Sequence, residues 1–194
     1  WGNISLRLPS SELIAVTPSG RDYQTLSKED IVIVNLQGET VAGRHKPSSE
    51  TPLHVAIYRA RPDVKAIVHT HSIFASACAV ARRPIPPIIE DLVQIAGGDI
   101  AVAAYALPGT EELAQQAVRS LADKFAVLLA NHGVVGCGQS LREAITVCEL
   151  VEKAAQIYIY AQILGGACIL DEADVQVMHD FYRQHYRRRQ EGGE

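Results

Sequence analysis

An α/β domain, a sheet flanked by helices, is what this 194-residue sequence predicts, and three observations carry the prediction. Short alternating or β-branched runs joined by turns fill the first third of the chain. Capped segments with helical apolar spacing occupy most of the remainder. Between them, Lys65–His71 and Ala126–Ala130 read as compact buried strands.

Taken in order, Asn3–Leu8 alternates as a strand does, Glu12–Thr17 follows, and Pro18-Ser19-Gly20 turns the chain. Ile31–Asn35 is a β-branched run. Thr51-Pro52 opens a helix to about Arg61, with Thr51 as the expected N-cap and Pro52 at the first helical position; Pro62-Asp63 ends it. After the Lys65–His71 strand comes a helix over about Ile73–Ala81, then a proline-rich connector at Arg83–Pro87. Thr110 caps an amphipathic helix to Ala122. Asn131-His132-Gly133 turns the Ala126–Ala130 strand into Val134–Gly136. Ser140 and Glu143 form a capping box for the longest helix, which Gly165-Gly166 stops at about Leu164. Asp171 begins a last helix ending in a basic run.

A hydrophobic content of 47% with 21% charged residues suits one globular domain, residues 1–194, with a sizeable core. The net charge of −4 gives no drive toward nucleic acid or an anionic membrane, so an anionic substrate has to be held by local donors. Cys78, Cys137, Cys148 and Cys168 each lie in apolar stretches without a Cys-x-x-Cys pair, which reads as reduced core thiols in a cytoplasmic protein. No apolar run approaches the roughly 18 residues of a membrane span. Arg187-Arg188-Arg189 reads as a solvated helix end. The chain starts at Trp1 in mid-motif, and a further N-terminal segment is expected before it.

The most pointed chemistry is His69-Thr70-His71. On a strand, residues i and i+2 share a face, so both imidazoles can grip one ion from a rigid support. Glu50 and His132 are the further candidate ligands. Three imidazoles and a carboxylate suit Zn²⁺ or a similar divalent ion, with a position left for substrate. His45, His54, His179 and His185 have no expected metal role: His54 reads as a helix-face residue, His179 and His185 as part of a polar tail. Gly2-Asn3-Ile4-Ser5, Thr17-Pro18-Ser19-Gly20 and Ser48-Ser49 offer hydroxyls, an amide and backbone N–H groups of the kind that cradle a phosphate, the last beside a helix N-terminus.

Those three segments, with Glu50, His69-Thr70-His71 and Asn131-His132-Gly133, stand in the order and approximate spacing of the class II aldolase/adducin family, which the sequence resembles from residue 2 to about 165. Within that family the sequence resembles the members acting on L-fuculose 1-phosphate. The resemblance implies a three-layer α/β/α fold around a mixed, mostly antiparallel sheet, and a homotetramer with active sites at subunit interfaces. It implies Zn²⁺, or Mn²⁺ or Co²⁺ in its place, on Glu50, His69, His71 and His132, with Glu50 also the acid/base. Asn3, Ser19, Gly20, Ser48 and Ser49 match phosphate-binding positions. Tyr105 matches a tyrosine that works in the site of an adjacent subunit. The implied reaction is cleavage of a ketose 1-phosphate such as L-fuculose 1-phosphate to dihydroxyacetone phosphate and an aldehyde, through a metal-stabilised enediolate.

The same family holds L-ribulose-5-phosphate 4-epimerases, methylthioribulose-1-phosphate dehydratases and related decarboxylases, and non-enzymatic adducin-like modules that lack the metal site. Glu50, where epimerases carry aspartate, favours the aldolase. Glu90-Asp91 reads as a solvated helix start, although an acidic residue in this region serves as acid/base in dehydratases and epimerases. Tyr182 and Tyr186 are candidates for a tail tyrosine that some of the aldolases use.

Overall fold

The computed structural model describes residues 2–9 and 11–187. Its strands are β1 (Gly2–Arg7), β2 (Leu13–Val16), β3 (Val32–Asn35), β4 (Thr40–Ala42), β5 (Ala66–Thr70), β6 (Val102–Ala103), β7 (Ala126–Leu129) and β8 (Gly133–Gly138). They form one sheet in the order β4-β3-β2-β1-β5-β8-β7-β6. Among the described residues only the β6–β7 pair is parallel. The helices are α1 (Thr51–Ala60), α2 (Ile73–Val80), α3 (Glu90–Ala96), α4 (Glu111–Leu121), α5 (Leu141–Ile163) and α6 (Glu172–Phe181). The expected mixed, mostly antiparallel sheet is therefore present. Strands β4 and β6, three and two residues long, were too short to carry a readable period.

Register decides which side chains reach which layer. Asn3 lies opposite His69 and Ser5 opposite Ile67, so these four share the face covered by α1. Ile4 and Leu6 point the other way, onto a small cluster of Ala66, Val68, Ala144 and Cys148 under α5. The main core runs from Ile14, Val16, Val32 and Val34 through Leu53, Ile57 and Tyr58 of α1 to Leu128 and Val135. Each fully buried leucine or isoleucine there contributes about 1.5–3 kcal/mol by leaving water. Helix α5 lies so close to β8 that a Cβ on Gly136 would come within 2.6 Å of Cys148 Sγ and 2.9 Å of Ala144 O; only glycine admits that approach.

The helix caps largely follow the sequence reading. Thr110 Oγ1 accepts from Leu113 N, and Ser140 Oγ from Glu143 N; the return bond of the expected capping box is displaced by one residue, Glu143 Oε2 accepting from Gln139 N at 2.6 Å and not from Ser140 N. Thr51 is a correction: Glu50 holds the N-cap position, and the Thr51 hydroxyl donates to Ser48 O at 2.7 Å, tightening the turn that enters α1. The basic tail is another. Arg187 is 7% exposed, with Nε donating to Glu143 Oε1 at 2.9 Å and its guanidinium over the Phe125 ring, so its side chain is held against the domain instead of lying in solvent. Arg188 and Arg189 lie outside the described residues. Cys78, Cys137 and Cys148 are buried as expected, whereas Cys168 is exposed, in the segment between α5 and α6. Among the described residues no helix is long and apolar enough to cross a membrane.

Candidate metal centre

His69 is the second-last residue of β5, 1% exposed, and its Nδ1 lies 2.9 Å from Val134 O on β8. A carbonyl only accepts, so Nδ1 carries the ring proton and Nε2 presents a lone pair. His71, just past the strand end, brings its Nε2 to 2.9 Å from that of His69. His132 enters from the β7–β8 turn, where Asn131 takes φ of 56°, a left-handed conformation that asparagine tolerates. The three ring centroids are 4.7–5.0 Å apart. Gly133 makes that approach possible: a Cβ there would fall 2.3 Å from Thr70 O and 3.0 Å from His71 Cδ2.

Glu50, 5% exposed at the start of α1, completes the cluster, with Oε2 at 3.1 Å from His69 Nε2 and Oε1 at 3.4 Å from His132 Nε2. All four expected ligands therefore converge. The histidine ligand atoms alone lie within 4.8 Å of one another. Since the bond to Val134 fixes the tautomer of His69, its Nε2 lone pair faces the carboxylate oxygen directly. Two acceptors at that distance repel unless a cation lies between them, so the donor set fits a divalent metal. Glu50 Oε1 and His132 Nδ1 are buried and lack hydrogen-bond partners among the described residues, which fits a carboxylate reserved for an ion.

Burial pushes the His69 imidazole down to about 3, with the neighbouring His132 and His71 adding to the shift, and burial likewise lowers His71. Neutral imidazole is the ligating form, so both are ready for metal at neutral pH. Burial also brings His54 down to about 3. The unfolded chain protonates both His69 and His54 near 6.5, while the folded, metal-free protein resists until about 3. Their stabilisation is thus complete above the unfolded value and is lost as pH falls through that window, at about 1.4 kcal/mol per pH unit for each group. The urea midpoint of chelator-treated protein should accordingly fall between pH 6.5 and pH 4.5; an unchanged midpoint would contradict the burial argument.

The segments expected to cradle a phosphate also come together. Pro18 and Pro47 form an isolated bridge, Ser19 N donates to Lys46 O, and Ser48 N donates to Thr17 O, so the Ser19-Gly20 turn lies against Ser48-Ser49 at the N-terminus of α1. Ser48 is buried and its Oγ accepts from Glu50 N at 3.2 Å; Ser19, Gly20 and Ser49 are exposed. Asn3 is buried, its Nδ2 donating to Glu50 Oε2 at 2.8 Å. Tyr105 is about half exposed on the loop after β6. Glu90 is exposed at the start of α3, while Asp91 pairs with Lys153 at 2.5 Å. Tyr182 is buried and donates to Glu143 Oε1, beside the Gly138–Ala66 end of the sheet and away from the His69 end. The side chain of Tyr186 lies outside the described residues.

Sequence reasoning missed His54. It is 1% exposed and hydrogen-bonded to both Asn3 and Ser5. One signal was available: His54 stands four residues after Glu50 on one helix, hence on the same face.

The profile of the Class II Aldolase and Adducin N-terminal domain matches residues 1–159. The chain belongs to the class II aldolase and adducin family. This aldolase-family chain is 39% identical over 175 residues to 5-deoxy-D-ribulose 1-phosphate aldolase of Bacillus thuringiensis serovar kurstaki, covering 90% of this chain and 82% of that protein. It is 33% identical over 191 residues to L-fuculose phosphate aldolase of Escherichia coli O6:H1, covering 98% and 87%. A solved L-fuculose 1-phosphate aldolase superposes with a TM-score of 0.91 at 37% identity, covering 94% of this chain and 85% of the other. The class II aldolase fold and an aldehyde-lyase of this family, both expected from the motifs, are borne out.

Proposed function

We propose that this class II aldolase-family enzyme uses Zn²⁺ to cleave a ketose 1-phosphate to dihydroxyacetone phosphate and an aldehyde. L-Fuculose 1-phosphate and 5-deoxy-D-ribulose 1-phosphate are the substrates to try first, since similar proteins carry those names. The observation that carries the reading is the convergence of Glu50, His69, His71 and His132 close to the paired turns at the N-terminus of α1. When bound, the metal supplies Lewis-acid stabilisation of the negative charge that develops as a carbon–carbon bond beside a carbonyl breaks.

The chain's own residues divide the remaining work. Ser19, Gly20, Ser48 and Ser49, with Asn3 nearby, hold the phosphate where the α1 dipole favours an anion. That remote anchoring positions the reacting carbons. Glu50 moves a proton at the substrate carbon or oxygen. Tyr105, exposed and so free to reach a neighbouring subunit, donates to the aldehyde-side oxygen. The enzyme is then a homotetramer with sites at subunit interfaces, and a sedimentation mass of four chains is expected; a one-chain mass at micromolar concentration would refute the assembly. The buried thiols Cys78, Cys137 and Cys148 suit a cytoplasmic protein.

The deciding experiment is a coupled assay for dihydroxyacetone phosphate release from both sugars, with and without chelator. Chelator-sensitive release is expected. No release from protein that holds metal would favour an epimerase or dehydratase, with the exposed Glu90 as the acid/base to replace.

A further inference from the structure

The face of β1 turned toward α1 carries polar residues in the interior. Asn3 and Ser5 are 6% and 1% exposed, while apolar Ile4 and Leu6 on the opposite face are only partly buried. Burying hydroxyl and amide groups costs free energy unless each is paired, and these are. Asn3 Oδ1 lies 2.5 Å from His54 Nε2, His54 Nδ1 lies 2.6 Å from Ser5 Oγ, and Ser5 Oγ lies 2.9 Å from Tyr58 Oη. Both His54 and Tyr58 are 1% exposed on α1.

One end of this chain dictates the direction of every bond in it. The Glu50 carboxylate only accepts, so Asn3 must present Nδ2 to it, and Asn3 Oδ1 then faces His54. That oxygen in turn requires Nε2–H on His54. With the proton there, Nδ1 accepts from the Ser5 hydroxyl, which accepts from Tyr58. Each donor points toward Glu50, and a flipped Asn3 would set two oxygens against each other.

We infer that His54 is a positioning residue that locks the Asn3 amide and thereby holds Glu50 in its ligating orientation. The inference rests on the reading of Glu50 as metal ligand and acid/base. His54 and Tyr58 are not among the four residues of the metal centre; the Tyr58–Ser5–His54–Asn3 chain is the support through which α1 and β1 aim a carboxylate. Outer partners of this kind typically change metal affinity or activity by roughly 10–100-fold when removed.

The test uses the whole protein loaded with Co²⁺, whose visible bands report ligand number and type, together with turnover of L-fuculose 1-phosphate. His54→Leu should bind Co²⁺ through the three imidazoles, shift its bands toward those of Glu50→Gln, and lose roughly 10–100-fold in kcat. His54→Gln, whose amide can supply the donor toward Asn3, should restore the wild-type bands and most of the activity. If His54→Leu fails to fold, Ser5→Ala decides: it removes the hydrogen bond that holds the His54 ring against Asn3, so the same band shift in part, with a smaller loss in kcat, is expected. Wild-type bands and wild-type kcat in His54→Leu, or in Ser5→Ala should that be the variant read, would overturn the inference alone. A wild type that takes up no Co²⁺ would overturn the metal reading and this inference with it. Co²⁺ uptake without sugar cleavage would overturn only the assigned reaction, and the bands would still judge His54.

Discussion

Replacing His71 by alanine is expected to strip the metal from the protein and lower turnover by on the order of 10³-fold. Lewis-acid stabilisation is worth several kcal/mol, and each 1.36 kcal/mol is a factor of ten in rate. His71 is the proposed ligand to remove because it is exposed just beyond β5, so its loss leaves the core intact. His69 is a poorer choice: it is 1% exposed and tied to Val134 O, and its removal would combine lost ligation with a cavity. Metal content after dialysis, measured beside dihydroxyacetone phosphate release, reads the outcome. Full metal and full turnover in His71→Ala would remove the metal assignment.

Glu50→Gln is expected to keep the metal on three imidazoles and to lose roughly 10²–10⁴-fold in kcat, the usual contribution of a positioned general acid or base. The substitution is nearly isosteric, and the new amide oxygen can still accept from Asn3 Nδ2, which now reaches Glu50 Oε2 at 2.8 Å. Folding and metal content therefore serve as internal controls. A kcat within about tenfold of wild type would assign the proton transfer to another group, and Tyr105 or Glu90 would be the next to replace.

Much of this was legible because it is local. A strand period places His69 and His71 on one face whatever the rest of the chain does. Thr110 and Ser140 cap their helices through bonds to residues three positions on, within reach of any sequence rule. Where local rules failed, a distant partner had intervened. Arg187 looks like one of a run of solvated cations until Glu143 and Phe125, far back in the chain, are set beside it. Thr51 looks like a cap, but the turn through Ser48 moves that role to Glu50 and draws the carboxylate inward.

By itself, then, the sequence determined the candidate ligand types, their strand and turn supports, and the family. Each depends on residue identity and short spacing. The tertiary structure alone decided that Glu50, His69, His71 and His132 meet, because contacts between remote segments follow from sheet order and register. The pairing of Asn3 with His69 shows why: a slip of one residue would turn Asn3 and Ser5 away from α1 and leave His54 without its partners.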